Sequence, residues 1–176
     1  MTEAVKKNGL NFGIILGVIS IVVSALIYSI DITMFVNMWV GICLFLLNLV
    51  IGIVAVVKTK KALGGLITFK EAFTTYFITM ALASIIGTLF LYILFNFIDP
   101  SAKEIITEKS VETTVKMMQG FGAQTQDIKD TVEKMKTTDN WSALNLIKSY
   151  AFGLIFHIII GLIVAAAFKN KSKEVE

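Results

Sequence analysis

The fold is decided by Thr68–Pro100, which reads TFKEAFTTYFITMALASIIGTLFLYILFNFIDP. Thr68 and Glu71 have the spacing of a capping box, in which the hydroxyl and the carboxylate each accept from the other residue's backbone N–H. The run Ala72–Ile98 carries no charge and exceeds the about 20 residues that cross a bilayer. Asp99-Pro100 ends the helix, because proline disfavours the α conformation in the residue before it. The stretch therefore predicts one transmembrane helix with an encoded start and end.

The composition extends this interpretation to the whole chain. Its 176 residues are 56% hydrophobic and 16% charged, with a mean hydropathy of +0.78, which is more apolar than a soluble domain. Charge-poor runs predict spans at about 8–30, 32–57, 69–98 and 143–168, with an outer segment at about 99–142. We therefore expect an all-α integral membrane bundle of four transmembrane helices, forming a single domain over residues 1–176.

The lysines predict the orientation of this bundle. They precede the first span, fill the connection between the second and third spans, and follow the fourth, whereas the connection between the first two spans carries only Asp31. Because Lys and Arg collect on the cytoplasmic side, we expect both termini in the cytoplasm of a multi-pass protein of a bacterial inner membrane. The outer segment should form two short amphipathic helices broken at Gly120–Gly122, since glycine costs a helix interior about 1 kcal/mol relative to alanine.

Each predicted span has a face of small and polar residues, through which helices associate in lipid. Three polar positions on these faces are candidates for function: Asn37, Asn48 and His157. They either belong to a tightly packed bundle or line a pathway or pocket. An imidazole within a span needs partners, so we expect His157 to face the bundle and to meet Asn48 or Thr79. It is then either a structural tie between helices or a functional group.

The start of the third span is a second candidate site, formed by Thr68, Phe69, Lys70 and Glu71. Capping of the helix accounts for the threonine and the glutamate. Capping does not require the neighbouring glycines or the phenylalanine, so a docking turn for a partner is the alternative interpretation.

Several classes of function lack the residues that they need. The chain contains no arginine, so nucleic-acid binding has no support. The only cysteine, Cys43, excludes an internal disulfide, and one His with one Cys falls short of a metal site. Neither a phosphate-binding Gly-x4-Gly-Lys-Ser/Thr motif nor His-Glu-x-x-His occurs. We expect no cofactor, no metal and no enzymatic activity.

Two blocks, Gly65–Phe73 (GLITFKEAF) and Asn96–Pro100 (NFIDP), resemble those of a bacterial family of small four-span membrane proteins of unknown function. The resemblance implies a bacterial envelope protein with a helical outer loop, and it implies no activity or catalytic residue.

Two functions remain open. The first is a non-catalytic accessory or assembly component that contacts the lipid bilayer and a protein partner or another copy of itself. It predicts a filled bundle centre. The alternative is a small transporter or channel-like protein that uses polar residues of the second and fourth spans, and it predicts a continuous polar cavity.

Overall fold

The computed structural model describes residues 1–170, and this part of the chain is helical without strands. Its six α-helices are α1 (Glu3–Ile30), α2 (Met38–Ala62), α3 (Phe69–Ile93), α4 (Ala102–Gly120), α5 (Thr125–Thr137) and α6 (Ala143–Phe168). A short 3-10 helix, Ile32–Val36, joins α1 to α2, and a π-helical turn, Leu94–Ile98, extends α3. Four helices, namely α1, α2, extended α3 and α6, are long and apolar enough to cross a membrane. The protein is a multi-pass membrane protein with the predicted all-α bundle.

The bundle has two different ends. The lysine-rich end holds the start of α1, the connection from α2 to α3 and the end of α6. The hairpin end holds the connection from α1 to α2 and the whole segment between α3 and α6, including the α4–α5 hairpin.

Helix α3 lies at the centre and packs against α1, α2 and α6. Its closest neighbour is α1, because a row of glycines there (Gly9, Gly13 and Gly17) lies directly on α3 side chains. A Cβ built on Gly13 would lie 2.9 Å from Cβ of Leu82, and one on Gly17 would lie 2.6 Å from Cδ1 of Ile86. In lipid, where burial of apolar groups does not favour association, such close contact supplies the van der Waals attraction that holds two helices together.

The small-residue faces of α2 and α6 are packed only near the lysine-rich end. Gly52 and Gly161 both approach the ring of Tyr76, whereas no atom of residues 1–170 lies within 4 Å of a Cβ built on Gly41 or Gly153. Of the two alternatives, the tightly packed bundle therefore holds for α2 and α6 at Gly52 and Gly161 but not at Gly41 and Gly153.

Two buried clusters divide the interior. The cluster at the lysine-rich half consists of Leu16, Val56, Ile67, Ala72, Tyr76, Met80, Ala83, Val164 and Ala165. The cluster at the hairpin end consists of Leu94, Phe95, Ala102 and Ile106, with side chains of the 3-10 helix packed against it.

Three predicted boundaries need correction. α1 already begins at Glu3, in the lysine-bearing segment. α2 begins at Met38 rather than at residue 32, because the Asn37 side chain accepts hydrogen bonds from the N–H groups of Trp39 and Val40 and caps the helix there. Asp99-Pro100 has the pattern of an N-cap followed by a first helical residue, but α4 begins at Ala102 with Ser101 as its N-cap, and the Asp99 carboxylate accepts from the Ala102 N–H.

The outer segment forms the two predicted helices. α4 ends at Gly120 and α5 begins at Thr125, with Gly122 at a φ of +73° in the turn between them. On α4, the Glu112 carboxylate accepts from the ammonium groups of Lys109 and Lys116 at 2.7 and 2.6 Å. These hydrogen bonds lower the pKa of Glu112 to about 2. The two ion pairs thus support the helix at i,i+3 and i,i+4 spacing.

Candidate functional site

The predicted capping box is present at the start of α3. The Glu71 N–H donates to the Thr68 hydroxyl at 3.2 Å, and the Thr68 N–H donates to the Glu71 carboxylate at 2.9 Å. Gly64 and Gly65, with φ values of +78° and +87°, form the turn that precedes it. Their N–H groups bond to carbonyls in the last turn of α2, at 3.1 and 2.9 Å, in the pattern of a Schellman motif. Local chemistry thus explains the glycines as well as the cap.

The same turn binds the end of α6. Ile67, which is fully buried, accepts from the Asn170 N–H at 3.0 Å and donates to the Asn170 side-chain oxygen at 3.1 Å. Lys60 donates to the Phe168 carbonyl at 3.2 Å, and the Lys169 ammonium lies 5.9 Å from the centre of the Phe69 ring. The apolar part of the candidate docking turn is therefore occupied by the chain itself. Of the four candidate residues, only Lys70 is exposed.

The three candidate polar positions lie in three separate places. Asn37 is exposed and caps α2 at the hairpin end. Asn48 lines a cavity between α1, α2 and α3. His157 lies on α6 and does not line that cavity. The structure thus does not bring the three residues together into one pathway or pocket.

The cavity that contains Asn48 has a volume of about 290 Å³. Its polar lining consists of Ser20, Ser24, Asn48, Ser84 and Thr88, and the remaining lining is aliphatic or glycine. Two of these groups bond within their own helix: the Ser20 hydroxyl donates to the Leu16 carbonyl at 2.9 Å, and the Asn48 amide donates to the Leu44 carbonyl at 2.6 Å. The cavity borders the buried cluster of the lysine-rich half, because Ala83 belongs to both.

His157 does not bond to the predicted partners. Its Nδ1 atom is buried and has no hydrogen-bond partner within residues 1–170. Asn48 donates to Leu44 of its own helix, and the Thr79 hydroxyl donates to the preceding turn and, at 3.3 Å, to Gly9 of α1. The prediction of a tie to Asn48 or Thr79 is therefore wrong. Both side chains bond to backbone carbonyls, one of the routes by which short polar residues are satisfied within helices.

A polar network joins three segments at the hairpin end, and it includes the NFIDP block. Asn96, in the π-helical turn, donates to the Trp141 carbonyl at 2.9 Å and accepts from Lys103 at 2.8 Å. Lys103 also pairs with Asp139 at 3.3 Å. A π-helical turn is often found at functional positions in helices, and here it places Asn96 towards the segment that leads into α6.

Asp99, the acidic residue of this block, ties the end of α3 to α1. Its carboxylate accepts from the Tyr28 hydroxyl at 3.0 Å and from the Ser101 hydroxyl. The hydrogen bond from Ser101, followed by that from Tyr28, lowers the pKa of Asp99. Beside it the Phe95 ring, which is fully buried, lies 4.2 Å from the Trp141 ring between centroids. The block is thus an anchor for the outer segment.

Sequence reasoning missed most members of this anchor: Tyr28, Phe95, Lys103, Asp139 and Trp141. Their contacts connect positions far apart in the chain, and no periodicity of apolar residues predicts a π-helical turn. The one available signal was the NFIDP block itself, in which two polar residues follow directly on an apolar run.

Comparison with known proteins gives a family and nothing more specific. Residues 11–170 match the model of the family described as "Protein of unknown function (DUF4199)". No curated protein and no solved structure matches the chain. The family match runs from the first turns of α1 to Asn170, so it includes the NFIDP block and the contact between Asn170 and Ile67. The chain belongs to the DUF4199 family.

Proposed function

We propose that this member of the DUF4199 family is a non-catalytic accessory or assembly component of a bacterial cytoplasmic membrane. Both termini would lie in the cytoplasm, since lysines flank the spans at the lysine-rich end and the connection at Asp31 has none. The α4–α5 hairpin would then lie outside the cell and present the protein's largest water-facing surface.

The observation that carries this proposal is the packed lysine-rich half of the bundle. Leu16, Tyr76 and Met80 are almost completely buried there, and α1 lies on α3 through its glycines. Close packing of side chains in this half supports a scaffold rather than a route for a solute. The polar cavity near Asn48 borders this cluster, with Ala83 belonging to both.

The proposed partner surface is the water-facing side of α5. This helix packs on α4, makes extended contact with no other element, and has no buried residue. Its apolar positions Ile128, Val132 and Met135 recur at helical spacing, and its charged residues lie exposed around the rest of the helix. A partner that binds here would contact Asp130, Glu133 and neighbouring side chains.

Site-specific photocrosslinking in native membranes tests this surface. A photoreactive amino acid at Glu133 should give one discrete protein adduct, and the same adduct should appear from Asp130. The matched control is Phe152 on α6, which is 76% exposed on a membrane-spanning helix and should not give that adduct. Equal adducts from Glu133 and Phe152, or none from either α5 position, would contradict the proposal.

The alternative function, a small transporter, is favoured by the polar cavity around Asn48. Asn48→Leu should occupy part of this cavity with an apolar side chain. If the gene has a deletion phenotype, an accessory protein should still rescue it with Asn48→Leu but lose rescue with Glu133→Lys. The opposite pattern, in variants that remain folded, would favour transport and overturn the accessory role.

A further inference from the structure

Helix α4 contacts the ends of two membrane-crossing helices at the hairpin end. Its first turns are buried beside the end of α3, where Ala102 is 0% and Ile106 is 5% exposed. Farther along, Lys109 and Thr113 line one cavity with Trp39 and other residues at the start of α2. The end of extended α3 and the start of α2 are both ends of membrane-crossing helices on the same side. A helix that passes from one to the other therefore lies across the bundle in the plane of the surface.

One side of α4 faces the bundle, and it continues beyond α2. With about 3.6 residues per turn, Ala102, Ile106, Lys109 and Thr113 share this side, and Met117 extends it by one further turn. Phe121 follows Met117 by one turn, at the tip of the hairpin. Met117 is 56% and Phe121 is 85% exposed, so no part of the described chain covers them.

The part of α4 that follows Thr113 is long enough to extend past the edge of the bundle. At a rise of about 1.5 Å per residue, the tip lies roughly 12 Å along the helix axis from Thr113. α2 lies at the edge of the bundle, where Met38 and Trp39 are 68% and 71% exposed. Next to that edge, at the level of the surface, is the bilayer.

We propose that Met117 and Phe121 insert into the lipid interface of the leaflet at the hairpin end and anchor the α4–α5 hairpin to it. A helix that lies on a membrane buries its apolar side at the boundary between headgroups and acyl chains, and aromatic residues favour this level. The opposite side of α4, with Val111, Val115 and Met118, is the side available to α5. Bilayer, α4 and α5 thus form successive layers.

The lipid contact of Met117 and Phe121 requires only that the bundle spans a membrane, and it is independent of the proposed protein partner. This contact would hold α5 at a fixed distance from the membrane surface, with its charged side towards water. Its failure would leave the photocrosslinking result at Glu133 unaffected, so the two proposals are tested separately.

Quenching of a fluorescent label tests the anchor in lipid nanodiscs, where both membrane faces are accessible. The lone cysteine is removed with Cys43→Ser, and an environment-sensitive label is attached to Met117→Cys, Phe121→Cys or Gln119→Cys in the full chain. Gln119 is the matched control, because it is also exposed and, at two residues from each, points about 160° around the helix axis from both Met117 and Phe121. Labels at 117 and 121 should be quenched by nitroxide-labelled phosphatidylcholine. They should also show a severalfold smaller quenching constant for iodide than the label at 119.

Two results would overturn the proposal. Labels at 117 and 121 as open to iodide as that at 119 would place the hairpin tip in water. Protection from iodide without quenching by nitroxide lipid would place it against protein, such as a second copy of the chain. If a cysteine variant fails to fold, the unaltered chain is labelled with a headgroup-located diazirine lipid and digested. Adducts should then concentrate on the peptide that contains Met117 and Phe121, and their absence there would equally overturn the anchor.

Discussion

The contact between α1 and α3 can be tested by adding one methyl group to Gly13. The new Cβ of Gly13→Ala would lie 2.9 Å from Cβ of Leu82 and 3.2 Å from the Thr79 carbonyl oxygen. Carbon atoms in contact prefer a separation of about 3.5–4.0 Å. The Leu82 Cβ is fixed to its backbone, so the clash is relieved only if α1 moves away from α3.

The matched control is Gly153→Ala on α6, where no atom lies within 4 Å of the added Cβ. Both positions are in helix interiors, so both variants gain the same helix propensity, about 1 kcal/mol. Their difference therefore isolates the packing contribution. Overpacking of a close-packed interior costs about 1–3 kcal/mol, and we expect Gly13→Ala to be less stable than Gly153→Ala by this amount.

The free energy of unfolding is measured for both variants by circular dichroism, as mixed micelles are titrated with SDS. Equal free energies of unfolding for Gly13→Ala and Gly153→Ala would refute the reasoning. In that case the glycine row of α1 would not be packed against α3 in the membrane.

Three further predictions concern topology, capping and pH. A reporter fused after Glu176 and another inserted at Gly122 should report opposite sides of the membrane, and detection of both on one side would contradict the four-span arrangement. Thr68→Ala should lower the free energy of unfolding by about 1 kcal/mol, because the Glu71 N–H loses its acceptor, and an unchanged thermal midpoint in detergent would argue against this role. The pKa of Glu112 is lowered from 4.5 to about 2, so its contribution to α4 is complete above pH 4.5 and is lost as the pH falls towards 2. Helicity monitored by NMR should follow this course, and Glu112→Gln should abolish the dependence.

Features that short stretches of sequence encode were predicted correctly. The four spans follow from charge-free runs, the start of α3 from the threonine and glutamate at capping-box spacing, and the break in the outer segment from Gly120 and Gly122. Each depends on residues that are neighbours in the chain. The start of α2 at Met38 also depends on a neighbouring residue, since Asn37 caps the helix. The sequence nevertheless predicted an earlier start, because the apolar pattern continues through the 3-10 helix.

The candidate site was predicted less well. The residues of the start of α3 are where the sequence placed them, but their contact with Asn170 joins positions about a hundred residues apart, and no local pattern encodes it. The same holds for the bond from Asn96 to Trp141 and for the buried Nδ1 atom of His157, which has no hydrogen-bond partner within residues 1–170. The biological role, the orientation and the absence of enzymatic activity stay predictions.

The sequence by itself determined which segments cross the membrane and where α3 begins, because hydropathy and capping are properties of consecutive residues. Only the tertiary structure decided which faces meet: Gly13 lies against α3, whereas no atom of residues 1–170 lies within 4 Å of a Cβ built on Gly153, in an equally glycine-marked face. The physical reason is that lipid is as apolar as a helix surface. Hydropathy therefore does not distinguish a side that faces lipid from a side that faces another helix, and the choice depends on close packing between residues distant in the chain.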